Sequence, residues 1–210
     1  MSNSNSEINT AAKKEKRLNV RALTVTAIMS AVGMVLMALE FPIPSLIPSF
    51  IKLDFSELPA LITSFAYGPL WGIAVCFLKN AIHMFFGSTY GIGEISNFIL
   101  GAVFVGIAGL IYKRNKTKKG ALISCLIGAA AMSVFSVASN YFVVYPLYIK
   151  VLGFTEEAIV GMYSAILPAA DTLLKDLIIF NVPFTFIKGI IDSVFCFLIY
   201  KRLSPVLKTK

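Results

Sequence analysis

Charge is scarce in this 210-residue chain: 14% of its residues are Asp, Glu, Lys or Arg, against roughly 25% in soluble globular proteins. With 57% hydrophobic residues and a mean hydropathy of +0.80, no fold could cover itself with water-compatible surface, which excludes an ordinary soluble domain. The three cysteines, Cys76, Cys125 and Cys196, lie inside apolar stretches without metal-ligand spacing and read as small packing residues, so no metal site is expected. A lone histidine, His83, and scattered carboxylates give little support to an intramembrane enzyme. No GxxxxGK[ST] loop, HExxH helix or GxSxG elbow is present, and no polar tract is long enough for a nucleotide-binding domain. The chain is therefore not expected to hydrolyse ATP by itself. The first sixteen residues are too polar for the core of a signal peptide. The first apolar run, from about Leu18, has no small-residue cleavage site after it and is expected to stay attached.

What the chain does have is long apolar runs. Clear spans cover 20–40, 92–112, 121–149 and about 173–200, each close to or above the roughly 20 residues needed to cross hydrocarbon. Helices are the solution there, because lipid offers backbone amides no partner. Between the first two spans runs an apolar tract from Ser56 to Phe86. As one helix it would measure about 46 Å, well beyond the ~30 Å core. Gly68-Pro69 interrupts it, since proline removes a donor and disfavours helix in the residue before it.

The net charge of +8 is concentrated. Fourteen of nineteen basic residues fall in three patches: Lys13 to Arg21, Lys113 to Lys119, and Lys201 to Lys210. Each abuts an apolar span, as cytoplasmic anchors do, and no polar domain exists to hold nucleic acid. The first two patches must share a compartment, so an even number of crossings separates them, which requires the split at Gly68-Pro69. The expectation is an all-α, polytopic membrane protein: a six-helix bundle over about 20–40, 56–67, 69–86, 92–113, 119–149 and 171–203, with both termini cytoplasmic. A tail at 1–18, a membrane domain at 19–204 and a tail at 205–210 follow, with 41–55, 87–91 and 150–170 on the outside.

Ionisable groups within such spans are expensive, and each is a functional candidate. They are Glu57, Lys79, His83, Glu94, Lys175, Asp176, Lys188 and Asp192, joined by Asn80, Asn97, Asn140 and Asn181. On this topology Glu57, Glu94, Asn97 and Asn140 fall in the outer half and Lys79 and Lys188 near the middle, so they can converge on an outward-facing cavity. Phe85, Phe86, Tyr90, Tyr141, Phe142, Tyr145 and Tyr148 gather near the same ends and could wall it, although aromatic residues there also serve as an interfacial belt. Structural readings stand beside these: Lys188 and Asp192, spaced i,i+4, could neutralise each other, Lys79 could snorkel, and Asn97 and Asn140 could bond between helices. The segment FPIPSLIPSFIKLDFSELP carries four prolines and reads as a stiff apolar lid over 41–55, turning Phe41, Ile43, Leu46, Ile47 and Phe50 away from water. Asp54 or Ser56 suits the cap of the next helix. Ala27 and Ala31, one turn apart with Gly33 nearby, permit close helix packing, internal or with a partner.

Five stretches, FPIPSLIPSFIKLDFSELPALI, FAYGPLWGIAVCFLKN, EISNFILGAVF, SNYFVVYPLY and VPFTFIKGIIDSVF, in this order and spacing resemble the substrate-binding, or S, components of energy-coupling factor (ECF) vitamin transporters, and within that family its riboflavin-specific branch. The resemblance implies a bacterial cell-membrane protein that takes riboflavin from outside and works with a transmembrane coupling protein and two cytoplasmic ATPases, which use the ATP. It implies no cofactor. It makes Asn140 and Lys188 ligand-bonding positions, with Asn97, Glu57, Lys79, Leu46 and Phe50 as further substrate contacts, and Ala27 and Ala31 the contact surface for the coupling protein. The ring system of riboflavin wants aromatic walls and its polar atoms want Asn, Lys and Glu partners, whereas no arginine cluster is present for a phosphate. An S component for another vitamin or a purine, and a proton-coupled carrier using Glu57, Glu94, His83 or Asp192, are the alternatives.

Overall fold

The computed structural model describes residues 20–87 and 89–208; the expected tail at 1–18, with Lys13, Lys14, Lys16 and Arg17, lies outside them. Helix α1 (Val20–Ala38) leads into a two-residue antiparallel ribbon, β1 (Phe41–Pro42) with β2 (Lys52–Leu53). Helices α2 (Glu57–Tyr67), α3 (Pro69–His83) and α4 (Ile92–Arg114) follow. A continuous helix α5 (Lys118–Leu152), a short α6 (Glu156–Ser164) and a last helix α7, which begins at Leu173 and ends at Lys208, complete the chain. Among the described residues, four helical stretches are long and apolar enough to cross a membrane: Val20–Ala38, Ile92–Arg114, Lys118–Leu152 and Leu173–Ile199.

The tract from Ser56 to Phe86 breaks where its sequence predicts. α2 and α3 have 11 and 15 residues, about 16 and 22 Å. So short a helix as α2 is tolerated because it is wrapped by α1, α3, α4 and α7, and every residue from Glu57 to Phe65 is buried. Gly68 forms the joint at φ 111° and ψ 166°, and its amide still bonds Ser64 O at 2.9 Å. A Cβ there would meet nothing within 4 Å, so Gly68→Ala isolates the backbone cost. It should destabilise the protein by about 1–3 kcal/mol, read as a lower thermal midpoint in detergent; an unchanged midpoint would show that the joint tolerates a side chain.

Two departures from regular helix lie toward the C-terminal end of α5 and the N-terminal end of α7. Asn140–Val144 and Leu177–Asn181 are π turns, in which Tyr145 N–H reaches Asn140 O and Val182 N–H reaches Leu177 O. Each is followed two residues later by a proline, Pro146 or Pro183. Proline offers no amide and crowds the carbonyl a turn earlier, and the widened turn relieves both. The segment 150–170, expected as a loop, contains α6. Thr155 accepts from Ala158 N at 3.1 Å and Glu156 and Glu157 occupy the first turn, which together favour a helix start.

The apolar interior has two parts. The larger joins Leu61, Val75, Phe104, Ala129 and Cys196 between the long helices. The smaller involves residues 41–55, the expected lid segment, and joins Ile47, Ile92, Tyr145, Tyr148, Tyr163 and Phe180. The three cysteines are buried and free, as packing residues should be.

Candidate ligand-binding site

A cavity of about 130 Å³ opens beneath the lid segment and borders both apolar clusters. Its walls come from the end of α1, the lid, α2, α4, the π turn of α5 and the first part of α7. Of the residues expected to contact a ligand, Asn140, Lys188, Asn97, Glu57 and Phe50 line it. Lys79 and Leu46 do not.

Leu46 is 60% exposed, and Ile47 is fully buried in its place. The amides of both residues bond Ile43 O in a tight turn, which sends one side chain out and the next one in. Lys79 is wholly buried behind the wall. Its ammonium donates to Ser56 Oγ, to Glu57 Oε1 at 2.8 Å and to Asn97 Oδ1 at 2.9 Å. Glu57 therefore reaches the cavity edge with its charge already matched, and Cys76 Sγ donates to its other oxygen at 3.4 Å. Glu94 also borders the cavity, held by His83 Nδ1 at 2.9 Å and Thr89 Oγ1 at 3.1 Å.

Asn97 bridges two charged groups: its Oδ1 accepts from Lys79, and its Nδ2 donates to Asp54 Oδ2 at 3.3 Å. Asn140 is different. It opens the π turn of α5, is 6% exposed, lines the cavity, and its amide has no hydrogen-bond partner among the described residues. Its amide atoms are not among the fully buried, unpartnered ones, so the amide is open to the cavity as an available donor and acceptor without a burial penalty.

Lys188 does not pair with Asp192. Its ammonium sits 2.7 Å from Asp54 Oδ2, a carboxylate brought in by the lid, while both oxygens of Asp192 are buried without a hydrogen bond. Asp54 was legible in the sequence as a helix cap, and that is half right. Its Oδ1 accepts from Ser56 N at 2.8 Å and from Ser56 Oγ, but its Oδ2 belongs to the cavity. Burial alone would raise this carboxyl; Lys188 and Lys79, with bonds from Lys188 and Ser56, outweigh burial and hold it well below the usual carboxylate range. The contribution of this contact is thus fully present above the ordinary Asp pKa near 4 and is lost only as pH falls far below it, so it is constant across neutral pH.

The aromatic wall is smaller than expected. Tyr145 and Tyr148 line the cavity with Phe50, whose ring packs against theirs at 6.2 and 5.4 Å. Phe85, Phe86, Tyr90, Tyr141 and Phe142 are 42–87% exposed and do not line the cavity. Asn181, a candidate by burial alone, lines it too, and is tied to Tyr163 and Tyr145 at 2.7 and 3.3 Å. Ala27 and Ala31 lie on the exposed side of α1 with Leu23, Ile28 and Val35, opposite its buried ridge Ala22, Thr26, Ser30, Gly33 and Met37.

A membrane-embedded helical protein with a mixed polar and aromatic cavity beneath residues 41–55 fits the small-molecule-binding class. The particular family follows from comparison. The pattern of the ECF transporter substrate-specific component matches residues 21–200, and the chain belongs to that family. It is 36% identical over 192 residues to the riboflavin transporter FmnP of Bacillus subtilis, covering 90% of this chain and 94% of that one. It is 33% identical over 205 residues to the riboflavin transporter RibU of Staphylococcus aureus, covering 96% and 99%. A solved structure of the S component of a bacterial ECF transporter matches with a TM-score of 0.71 and 32% identity, over 91% of this chain and 100% of that one.

Proposed function

We propose that this chain is the riboflavin-binding S component of an ATP-driven ECF importer. The observation that carries the reading is one cavity lined by the unspent amide of Asn140, by Lys188 and by the rings of Phe50, Tyr145 and Tyr148, in a chain more than 30% identical along nearly its whole length to two riboflavin transporters. Flat rings suit the aromatic wall, while carbonyls and hydroxyls suit Asn140, Lys188 and the neighbouring Asn97. Glu57, Phe50 and the remaining lid contacts shape the enclosure, and Lys79 supports it from behind.

The topology that fits this role has six crossings, counting α2 and α3 as one each, with both termini cytoplasmic, tails at 1–18 and 205–210, and the membrane domain at 19–204. The lid at 41–55 then faces outside. Small-molecule pockets occupy roughly 300–1,000 Å³, more than the 130 Å³ enclosed here, so ligand uptake requires the lid and its neighbours to move apart. The exposed Ala27–Ala31 face of α1 suits a transmembrane coupling protein, because small side chains let helices approach closely in lipid. Two cytoplasmic ATPases acting through that partner would supply the energy. A proton-coupled carrier is less well supported, since Glu57 and Glu94 are already engaged by Lys79 and by His83 and Thr89.

Purified protein, titrated by quenching of flavin fluorescence alongside a panel of other vitamins and purines, should bind riboflavin saturably and at one site. It should show no ATPase activity. Preference for a different vitamin or a purine would replace the substrate, and ATP hydrolysis by the isolated chain would overturn the division of labour.

A further inference from the structure

We propose that Asp54 is a positioning and charge-balancing residue of this site: it ties the lid to Lys188 and Asn97 and keeps the cavity suited to an uncharged ligand. The inference rests on the flavin-binding reading and deepens it.

Capping alone does not account for Asp54. Only Oδ1 faces the start of α2, and Ser56, the residue at the cap position, makes no side-chain cap bond of its own. Oδ2 reaches across to α7 and α4, to Lys188 Nζ at 2.7 Å and Asn97 Nδ2 at 3.3 Å. The contact with Lys188 spans 134 positions of sequence. Asp54 directly follows β2, the returning strand of the lid ribbon, so lid position and Lys188 orientation are mechanically joined. With Asp54 3% exposed and the Lys188 side chain 12% exposed, neither charge has water as an adequate substitute.

The second half of the inference comes from the charges along the wall. Glu40 is matched by Lys52, Glu57 by Lys79, and Lys188 by Asp54, while Glu94 is bonded by His83 and Thr89. Among the described residues every cation on the wall is therefore compensated, and the cavity offers an amide and a paired ammonium to neutral carbonyls and hydroxyls. A phosphorylated flavin would bring negative charge to a wall without a spare cation. Removing the Asp54 charge leaves the Lys188 charge less compensated, and the low-dielectric surroundings strengthen its attraction for an anion.

The test is a double-mutant cycle of parent, Asp54→Asn, Lys188→Gln and the pair, with riboflavin and flavin mononucleotide as ligands. Hydrogen exchange across 41–55 is followed in the ligand-free proteins. Asp54→Asn should weaken riboflavin about tenfold and shift the ratio of affinities about tenfold toward flavin mononucleotide. In the Lys188→Gln background Asp54→Asn should produce no shift in that ratio. Lid exchange should accelerate equally in either single variant and no further in the double. An unchanged ligand ratio, or independent additive effects, would reduce Asp54 to a cap and overturn the proposal. A parent protein that binds no riboflavin would sink the substrate reading. Lid exchange would still judge the tether: equal exchange in parent and Lys188→Gln would sink that as well, and it needs no folded Asp54 variant.

Discussion

Lys188→Ala protein is expected to bind riboflavin roughly 10- to 100-fold more weakly than the parent. A hydrogen bond to a charged group contributes about 1.5–3 kcal/mol, and tenfold in affinity corresponds to about 1.4 kcal/mol. The variant also strips Asp54 of its 2.7 Å partner, so the ligand-free protein should melt earlier and the riboflavin-induced rise in melting temperature should shrink. Asn140→Ala supplies the contrast. Its amide bonds nothing among the described residues, so its loss should leave the ligand-free midpoint almost unchanged and still weaken riboflavin roughly five- to tenfold. Calorimetric or fluorescence titration of folded protein decides both, and parental affinity in either variant would remove that residue from the site.

Lys79→Ala should act on stability rather than selectivity. The ammonium lies at 0% exposure against Glu57, itself at 1%, and removing one member of a buried pair costs about 3–5 kcal/mol because the other charge stays behind. For a chain of this size that corresponds to a midpoint about 6–20 °C lower. Glu57 packs closely on Gly101, where an added Cβ would lie only 2.5 Å from Glu57 Oε2. Neutralising both partners, as in Lys79→Met with Glu57→Gln, should recover much of the loss. Because Lys79 does not line the cavity, whatever folded Lys79→Ala protein remains should keep a riboflavin affinity within a few-fold of the parent. A large affinity change at full stability would instead make Lys79 a ligand contact.

Much of this was legible in the residues. The break at Gly68-Pro69 is a local covalent fact, and the structure ends α2 and begins α3 there. The capping of α6 was written locally too, in Thr155-Glu156-Glu157, but was hidden by reading 150–170 as a loop. Asn140, Lys188 and Asn97 were candidates because polar groups in apolar spans are conspicuous. The neighbours of those polar groups were not legible. Lys188 has Asp192 one turn away, yet it contacts Asp54, because helix spacing describes one helix and says nothing of what a distant lid inserts. Leu46 and Ile47 are chemically alike, and only the turn at Ile43 separates outside from inside.

By itself, the sequence determined that the chain is apolar and helical, where it breaks, and which few polar side chains it must bury, since hydropathy, proline and glycine act over a handful of neighbouring residues. Tertiary structure alone decided which of those polar groups are consumed by each other and which stay available. Burial makes every donor seek the nearest acceptor in space, and that distance is fixed by how α2, α4, α7 and the lid pack together.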